Sequence, residues 1–215
     1  MRQSELRKPG LVLHDAFAYD FLVWIFTRGG EITFRKMIMG KAELQLGETV
    51  LDIGCGTGSL AIAAKRKIGP AGSMHGIDAS PQMIARAKKK AKSAGVDVSF
   101  KVALVQELPF ADGHFDVVLS TMMFHHLSRT ARQQCATQIK RVLKPGGKVL
   151  VVDFAPAEQA KKGLLDHLHR RHGHVSLQDI LAPLEDAGLG TVETGGLGLY
   201  DLQFVVAEAP APVRA

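Results

Sequence analysis

Strand-like and helix-like segments alternate along the middle of this 215-residue chain, and this alternation restricts the fold more than any other feature. Short β-rich runs that end in turns are separated by amphipathic stretches of about 10–15 residues. Strands are predicted at 49–53, 73–77, 96–102, 115–120 and 148–154, and helices at 59–67, 81–94 and 130–143. Because such βαβ units form a parallel sheet that helices cover on both faces, the sequence predicts an α/β fold.

The two ends of the chain depart from this rhythm. Gly195, Gly196 and Gly198 predict a hairpin, so that strands at 191–193 and 202–207 pair antiparallel. Two helices are predicted within 14–46. The chain is thereby divided into an N-terminal helical lid (1–46), a main domain (47–208) with a helical insert (158–188), and a disordered tail (209–215).

Composition and charge narrow the class of protein. Hydrophobic residues make up 46% of the chain, which is enough apolar material for a core and excludes wholesale disorder. The net charge of +6 is too small to indicate a nucleic-acid partner, and none is expected. Cys55 and Cys135 cannot build a disulfide framework or a cysteine-rich zinc site, and no apolar run approaches membrane-spanning length. We therefore expect a cytoplasmic protein with no metal site.

A glycine-rich turn carries the most chemical information. Residues 50–59 predict a strand, a turn and the start of a helix, which is a nucleotide-binding layout. Gly58 comes one position too early for a dinucleotide fingerprint, and Asp52 precedes the first glycine by two positions. A carboxylate there would repel a pyrophosphate but attract an ammonium group. The turn therefore favours a nucleoside with a cationic amino-acid arm over the alternative, a nicotinamide-dependent oxidoreductase.

A second acidic residue agrees with this interpretation. Asp78 ends the second predicted strand, about 20 positions beyond the last glycine, where a carboxylate accepts hydrogen bonds from both hydroxyls of a ribose. The alternative is a surface position, or a charge that favours the dipole of the helix beginning after Ser80 and Pro81. The two aspartates and the turn together are a far more specific signal than the glycines alone.

Four segments together resemble the class I S-adenosylmethionine-dependent methyltransferases, namely 50–58 (cofactor loop), 76–80 (ribose motif), 108–118 and 141–147 (the turn into the fifth strand). The resemblance implies a Rossmann-like, doubly wound sheet of seven strands, mostly parallel with the last strand antiparallel, and helices on both faces. It implies S-adenosylmethionine as cofactor and S-adenosylhomocysteine as product. The predicted cofactor-binding residues are Tyr19, Asp52, Gly54, Cys55, Gly56, Asp78, Ala79, Met83, Leu104, Val105 and Ser120. Leu104 replaces the family's usual aspartate, which holds the adenine amine.

The resemblance also bears on the acceptor. It implies in-line transfer of a methyl group to a small molecule, and the general layout is similar to that of the quinone-biosynthesis C-methyltransferases, so a hydrophobic acceptor is expected. The Asn/Asp-Pro-Pro-aromatic signature of amino-group methylation on nucleic acid or protein is absent after the fourth predicted strand. A lipid-headgroup methyltransferase at the membrane surface and a catalytically inactive cofactor-binding protein are the alternatives.

Histidines supply the candidates for acid–base chemistry. His125 and His126 follow the fourth predicted strand, where the chain should pass beside the methyl group, and either is a candidate general base. The alternative is that they only shape the start of a helix. Four further histidines lie within 167–174, which either bind a metal or an anionic substrate or form a solvated, basic helix end.

Aromatic residues concentrate near the N-terminus. At helical spacing Phe17, Phe21 and Trp24 form one stripe, which as a lid would cover the cofactor and let Tyr19 reach its amino-acid end. The alternative is an interfacial anchor that delivers the enzyme to a lipid-like acceptor, so peripheral membrane contact stays open. The sequence does not predict an oligomeric state.

Overall fold

A computed structural model describes residues 31–156, 175–198 and 202–211 of the chain. The strands are β1 (Thr49–Ile53), β2 (Ser73–Asp78), β3 (Ser99–Val102), β4 (Phe115–Thr121), β5 (Leu143–Phe154), β6 (Gly190–Gly196) and β7 (Leu202–Glu208). The helices are α1 (Glu31–Lys41), α2 (Ser59–Ile68), α3 (Pro81–Ser93), α4 (Arg129–Val142) and α5 (Leu177–Asp186), with one 3₁₀ turn at Phe124–His126.

All seven strands form one sheet in the order β3-β2-β1-β4-β5-β7-β6. The strands from β3 to β5 pair in parallel, and β7 pairs antiparallel with both β5 and β6. The predicted doubly wound sheet with an antiparallel last strand is therefore confirmed, as is the antiparallel pairing of the last two strands. The strand order reverses between β1 and β4, and open α/β sheets bind their ligands at such a point.

The sheet separates two hydrophobic cores. Val50 of β1 belongs to the core formed with residues of α1, α2 and α3. Leu51, its neighbour, belongs to the core formed with residues of α4 and α5. Successive side chains of a strand point to opposite faces, so this division confirms that helices cover both faces. The apolar central strands are thus buried on both sides, which holds their carboxyl ends in fixed relative positions.

Both ends of α3 are capped by residues that the local sequence predicts. Ser80 is the N-cap, and its hydroxyl accepts a hydrogen bond from the N–H of Met83, as predicted. At the other end the N–H of Gly95 donates to the carbonyl of Lys92, and the N–H of Val96 donates to that of Ala91. This pair of bonds is a Schellman motif, for which Gly95 adopts a positive φ of 62°.

Two predicted boundaries were wrong. The strand predicted at 96–102 begins only at Ser99, because the N–H of Val96 closes the end of α3. The strand predicted at 148–154 begins earlier, at Leu143, so most of the predicted turn before it is the irregular start of β5. There the register against β4 shifts, and Gly146 and Gly147 exchange backbone hydrogen bonds with Ala209.

The predicted segments at the chain ends are described only in part. Residues 1–30, most of the insert at 158–188 and the histidine-rich stretch 167–174 lie outside the described residues. Residues 31–46 contain α1, whose Phe34 and Ile38 are buried in a core. Ala209, the first residue of the predicted tail, is buried and exchanges backbone hydrogen bonds with β5. Among the described helices, none has the length and apolar character that a bilayer span requires.

Candidate functional site

The carboxyl ends of β1, β2, β4 and β5 meet at one edge of the sheet. In the parallel register Ile53 of β1 lies between Ile77 of β2 and Ser120 of β4. Ser120 in turn pairs with Val151 of β5. The residues at and after these strand ends therefore converge beside the point where the strand order reverses. They include Asp52, within β1, and Asp78, His125 and His126, which follow the named positions.

The glycine-rich turn between β1 and α2 has the backbone that its sequence predicts. Gly54, Gly56 and Gly58 have φ values of 70°, 52° and 77° in the left-handed region, which favours glycine. The N–H of Cys55 donates to the carbonyl of Ile77, which ties the turn to β2. The turn therefore exposes backbone rather than side chains to a ligand at the start of α2.

Asp78 holds the turn from the side of β2. Its Oδ2 accepts a hydrogen bond of 2.9 Å from the N–H of Gly56, and its Oδ1 accepts one of 2.8 Å from the N–H of Ser80. Burial raises the pKa of Asp78, and the two backbone hydrogen bonds oppose that rise. Each carboxylate oxygen keeps a second lone pair, so Asp78 can also accept from a ligand hydroxyl.

Asp52 is the most unusual group of the site. The residue is 1% exposed, and its Oδ1 has no hydrogen-bond partner among the described residues. Burial, with a smaller contribution from the nearby charge of Asp78, raises the pKa of Asp52 to about 8. A buried carboxyl oxygen without a partner is costly, so this position suits a donor that the described residues do not supply.

These residues fit S-adenosylmethionine. The unpartnered Oδ1 of Asp52 suits the ammonium group of the cofactor's amino-acid arm, and Asp78 suits its ribose hydroxyls. The positive-φ glycines allow the cofactor to approach the backbone. A diphosphate would meet two carboxylates at the same place, which disfavours a nicotinamide dinucleotide.

Most of the remaining predicted cofactor residues lie in the described part of the chain. Ala79 is exposed, and Met83 is buried in the first turn of α3. Leu104 is 54% exposed after β3, and Val105 beside it is buried. Cys55 is buried, and burial raises the pKa of its thiol, so it is not a reactive thiolate. Tyr19 lies outside the described residues.

Ser120 lies under the site. It is buried at the last but one position of β4, and its hydroxyl has no partner in the described part of the chain. Because β4 is the neighbour of β1 at the reversal point, Ser120 is a second unsatisfied polar group at the same edge as Asp52. Its hydroxyl can therefore bind a ligand without losing a hydrogen bond to any described residue.

The segment after β4 presses against the glycine-rich turn. Met122 has a φ of 52°, a left-handed conformation that is rare for a residue other than glycine. Met123 follows it, and its Cγ would lie 2.6 Å from a Cβ atom placed on Gly54. Backbone strain of this kind collects at functional sites. The strained residue here directs Met123 onto the turn and leads into the 3₁₀ turn that contains His125 and His126.

The two histidines have different surroundings. The Nδ1 atom of His125 lies 2.6 Å from Oδ1 of Asp153, and the backbone N–H of His125 donates to Oδ2 of the same carboxylate at 3.1 Å. The side chains of His125 and Asp153 are 3% and 0% exposed. The ring of His126 lies against that of His125, with 3.9 Å between their centroids. The structure thus distinguishes two residues that the sequence could not.

Asp153 was missed by the sequence reasoning. It lies near the end of β5 in the run Val151-Val152-Asp153-Phe154, the one acidic residue of an otherwise apolar strand end. A charged side chain in a strand that is buried on both faces requires a partner, and that requirement was the available signal. No group of metal-ligating side chains occurs in the described ranges.

Replacing Gly54 by alanine should weaken cofactor binding as well as stability. The positive φ alone costs alanine about 1–2 kcal/mol, and its Cβ would also collide with Met123. We expect the affinity for S-adenosylhomocysteine, measured by calorimetric titration, to fall at least about tenfold. Gly95 is the matched control, because it has a φ of 62° but nothing within 4 Å of an added Cβ. Equal affinities of the Gly54→Ala and Gly95→Ala proteins would contradict the assignment of the turn to the cofactor.

Known proteins are similar to this chain in sequence and in fold. A family model described as a methyltransferase domain matches residues 50–147. A demethylmenaquinone methyltransferase of Thermus thermophilus is 33% identical over 147 residues, which cover 68% of this chain and 66% of that protein. A ubiquinone/menaquinone biosynthesis C-methyltransferase of Bordetella avium is 32% identical over 153 residues, which cover 71% of this chain and 59% of that protein.

A solved structure gives the same result for the fold. The SAM-dependent methyltransferase from Aquifex aeolicus superposes with a TM-score of 0.69 over 81% of this chain and 88% of that chain, at 24% identity. The matched regions span a little under two thirds of the length of the two curated relatives. The names of those relatives therefore describe their own activities, and the family is what this chain shares with them.

Proposed function

The chain belongs to the class I S-adenosylmethionine-dependent methyltransferases, and from that premise we propose that it transfers a methyl group to a ring carbon of a small, hydrophobic, reduced quinone that lacks this methyl group. The proposal has two parts, the donor and the acceptor. Different observations support each part, and different experiments test them.

The observation that carries the donor part is the buried carboxyl group of Asp52, whose Oδ1 has no partner among the described residues. An ammonium group at Oδ1 would give this oxygen a partner and offset the cost of its burial. We assign the amino-acid arm of the cofactor to Asp52 and the ribose to Asp78, with Gly54 and Gly56 lining its path between them. Ala79, Met83, Leu104 and Val105 are assigned to the adenine side, where they follow β2 and β3.

The acceptor part rests on the two named relatives and on the apolar residues of the site. Both relatives are named for quinone methylation, and one is named as a C-methyltransferase. Met122 is partly exposed and Met123 is buried, and both are apolar side chains in the segment after β4, at the carboxyl edge of the sheet. An apolar ring that packs on such side chains gains the free energy of burial, whereas a charged acceptor would gain none from them.

When bound, S-adenosylmethionine supplies a methyl group on a positively charged sulfur, which is an electrophile with a good leaving group. The residues of the chain then have to hold the acceptor in line and keep water away from the reacting atoms. Met123 is buried against the turn and helps to exclude water there. Transfer to a ring carbon also requires that the acceptor lose one proton, so that atoms and charge balance.

A labelled methyl group tests the proposal. The full chain is incubated with S-adenosylmethionine carrying a ¹³C methyl group and, in separate samples, with a reduced naphthoquinone unsubstituted at the ring carbon, the same compound already methylated there, or phosphatidylethanolamine vesicles. We expect a ¹³C signal of a ring-bound methyl group in the first sample alone. Label on the lipid nitrogen or on a quinol oxygen would contradict the carbon acceptor, and the Asp78→Ala protein controls for transfer that does not use the site.

A further inference from the structure

A buried histidine–carboxylate pair lies beside the proposed methyl-transfer site. Nδ1 of His125 and Oδ1 of Asp153 are 2.6 Å apart, and both side chains are almost completely buried. Asp153 accepts two further hydrogen bonds, one of 2.7 Å from the N–H of Phe154 and one of 3.1 Å from the N–H of His125. The carboxylate is thus fixed in orientation by three donors, and the imidazole is fixed by the carboxylate.

The pairing determines which nitrogen of His125 carries a proton. An ionised carboxylate can only accept, so the hydrogen bond places a proton on Nδ1 and leaves the lone pair of the neutral ring on Nε2. Within the described residues the hydrogen bonds of His125 use Nδ1 and the backbone N–H, and none uses Nε2. Nε2 is therefore the atom of this pair that can accept a proton from a ligand.

The position of the pair relative to the cofactor turn follows from the chain. His125 lies two residues after Met123, whose side chain packs directly on Gly54. Asp153 lies near the carboxyl end of β5, next to β4 in the sheet. The pair is therefore at the same edge as Asp52 and Asp78, on the β4 side of the turn. The centroid of the Phe154 ring lies 5.5 Å from that of the His125 ring, so Phe154 also packs near the imidazole.

We propose that Nε2 of His125 is the general base that removes a proton from the acceptor, and that Asp153 is the residue that positions it. This inference rests on the proposed function. The proton of an acceptor hydroxyl passes to Nε2, and the electron pair of its O–H bond activates the ring carbon. That carbon forms the new bond to the methyl group, while the pair of the methyl–sulfur bond stays on sulfur. The hydrogen of the ring carbon is then released as a proton to bulk water, and the electron pair of its C–H bond restores the aromatic ring and the negative charge of the ring oxygen. The proton held by His125 returns to that oxygen.

The same geometry restricts the class of acceptor. A base fixed in this way assists an acceptor whose hydroxyl must ionise before it reacts, such as a hydroquinone or phenol. Such a base does not accelerate the methylation of a tertiary amine or a thioether, because the reacting atom of these acceptors carries no proton. The buried carboxylate also stabilises the imidazolium that forms during turnover, a charge that this buried position would otherwise disfavour.

Nuclear magnetic resonance of the ring nitrogens tests the role of Asp153 without any turnover. In full-length protein labelled with ¹⁵N, the neutral ring of His125 is expected to show the proton on Nδ1. In Asp153→Ala, Nδ1 of His125 loses its acceptor, so the carboxylate no longer holds the proton there and the share of the ring protonated on Nε2 is expected to rise. An unchanged tautomer in the variant would overturn the positioning role.

Kinetics with acceptors of graded acidity test the base. We expect His125→Asn to lower kcat about 100-fold or more for a weakly acidic quinol or phenol. With an acceptor that is already ionised in the assay, kcat should fall by a smaller factor. Asp153→Ala should behave in the same way, and the double variant should be no worse than His125→Asn alone, because both residues act through one atom. Equal losses across all acceptors would overturn the inference, as would a larger loss in His126→Asn than in His125→Asn.

Different results would contradict the proposed acceptor and the proposed general base. Binding of S-adenosylhomocysteine is expected to stay within about threefold of the parent protein in His125→Asn, because neither aspartate of the cofactor turn is changed. If the protein bound the cofactor but methylated no quinol or phenol, the proposed acceptor would be wrong. If it methylated a quinol and the His125→Asn protein kept full kcat, only the assignment of the base would be wrong. His125→Asn also keeps the test open should Asp153→Ala fail to fold.

Discussion

Asp52→Asn is expected to make the ligand-free protein more stable at pH 7 and at the same time to weaken its binding of S-adenosylhomocysteine at least about tenfold. The pKa of Asp52 is about 8 in the folded protein, and its ordinary value is 3.8. Between these values the folded state holds a proton that the unfolded state has lost, so the stability contributed by the neutral carboxyl falls as pH rises from about 4 to about 8. Asparagine carries no charge and avoids this loss.

The measurement is the Tm of both proteins from pH 4 to pH 9. We expect the two curves to meet near pH 4 and to separate as pH rises, with the variant above the parent. Asp97→Asn, a change at an exposed aspartate, should show no such separation. Titration calorimetry in buffers of different ionisation enthalpy should also show release of about one proton per ligand from the parent at pH 7 and none from the variant. Parallel Tm curves would contradict the burial of an unpartnered carboxyl group.

Asp78→Ala is expected to weaken binding of S-adenosylhomocysteine by roughly 10–150-fold, because a hydrogen bond to a charged group is worth about 1.5–3 kcal/mol. The variant loses the proposed partner of the ribose hydroxyls and also the acceptor of the N–H groups of Gly56 and Ser80. A ribose-free fragment that contains only the amino-acid arm separates these two effects. Asp78→Ala should lower the affinity for this fragment by a smaller factor than the affinity for the nucleoside. Asp97→Ala is the control, and an equal affinity of the two variants would remove Asp78 from the site.

The fold was largely predictable from the sequence because its signals are local. β1, α2 and the caps of α3 follow from β-rich runs, apolar stripes, a serine before a proline and a glycine after the last turn. The errors arose where hydrogen bonds to backbone groups far away in the sequence determine where a strand begins. The start of β5 depends on bonds between Gly146, Gly147 and Ala209, more than 60 residues away, and no local pattern contains that information.

The site was predictable to the extent that its residues follow strand ends in a known order. Asp52 and Asp78 could be placed because each has a fixed spacing from the glycines. Asp153 could not be paired with His125, because the two are 28 positions apart and only the β4–β5 register brings them together. Lys90 shows the same limit, since it belongs to a basic run that is typical of an exposed helix face. In the structure its Nζ donates to the hydroxyls of Thr57 and Ser59 and ties α3 to the turn.

Calorimetric titration of the full-length parent protein with S-adenosylhomocysteine tests the central claim most directly, because it measures the donor site without assuming any acceptor. The account predicts saturable binding of one ligand per chain, with the affinity lowered in both Asp52→Asn and Asp78→Ala and unchanged in Asp97→Ala. Absence of binding up to millimolar ligand, in protein that circular dichroism shows to be folded, would contradict it.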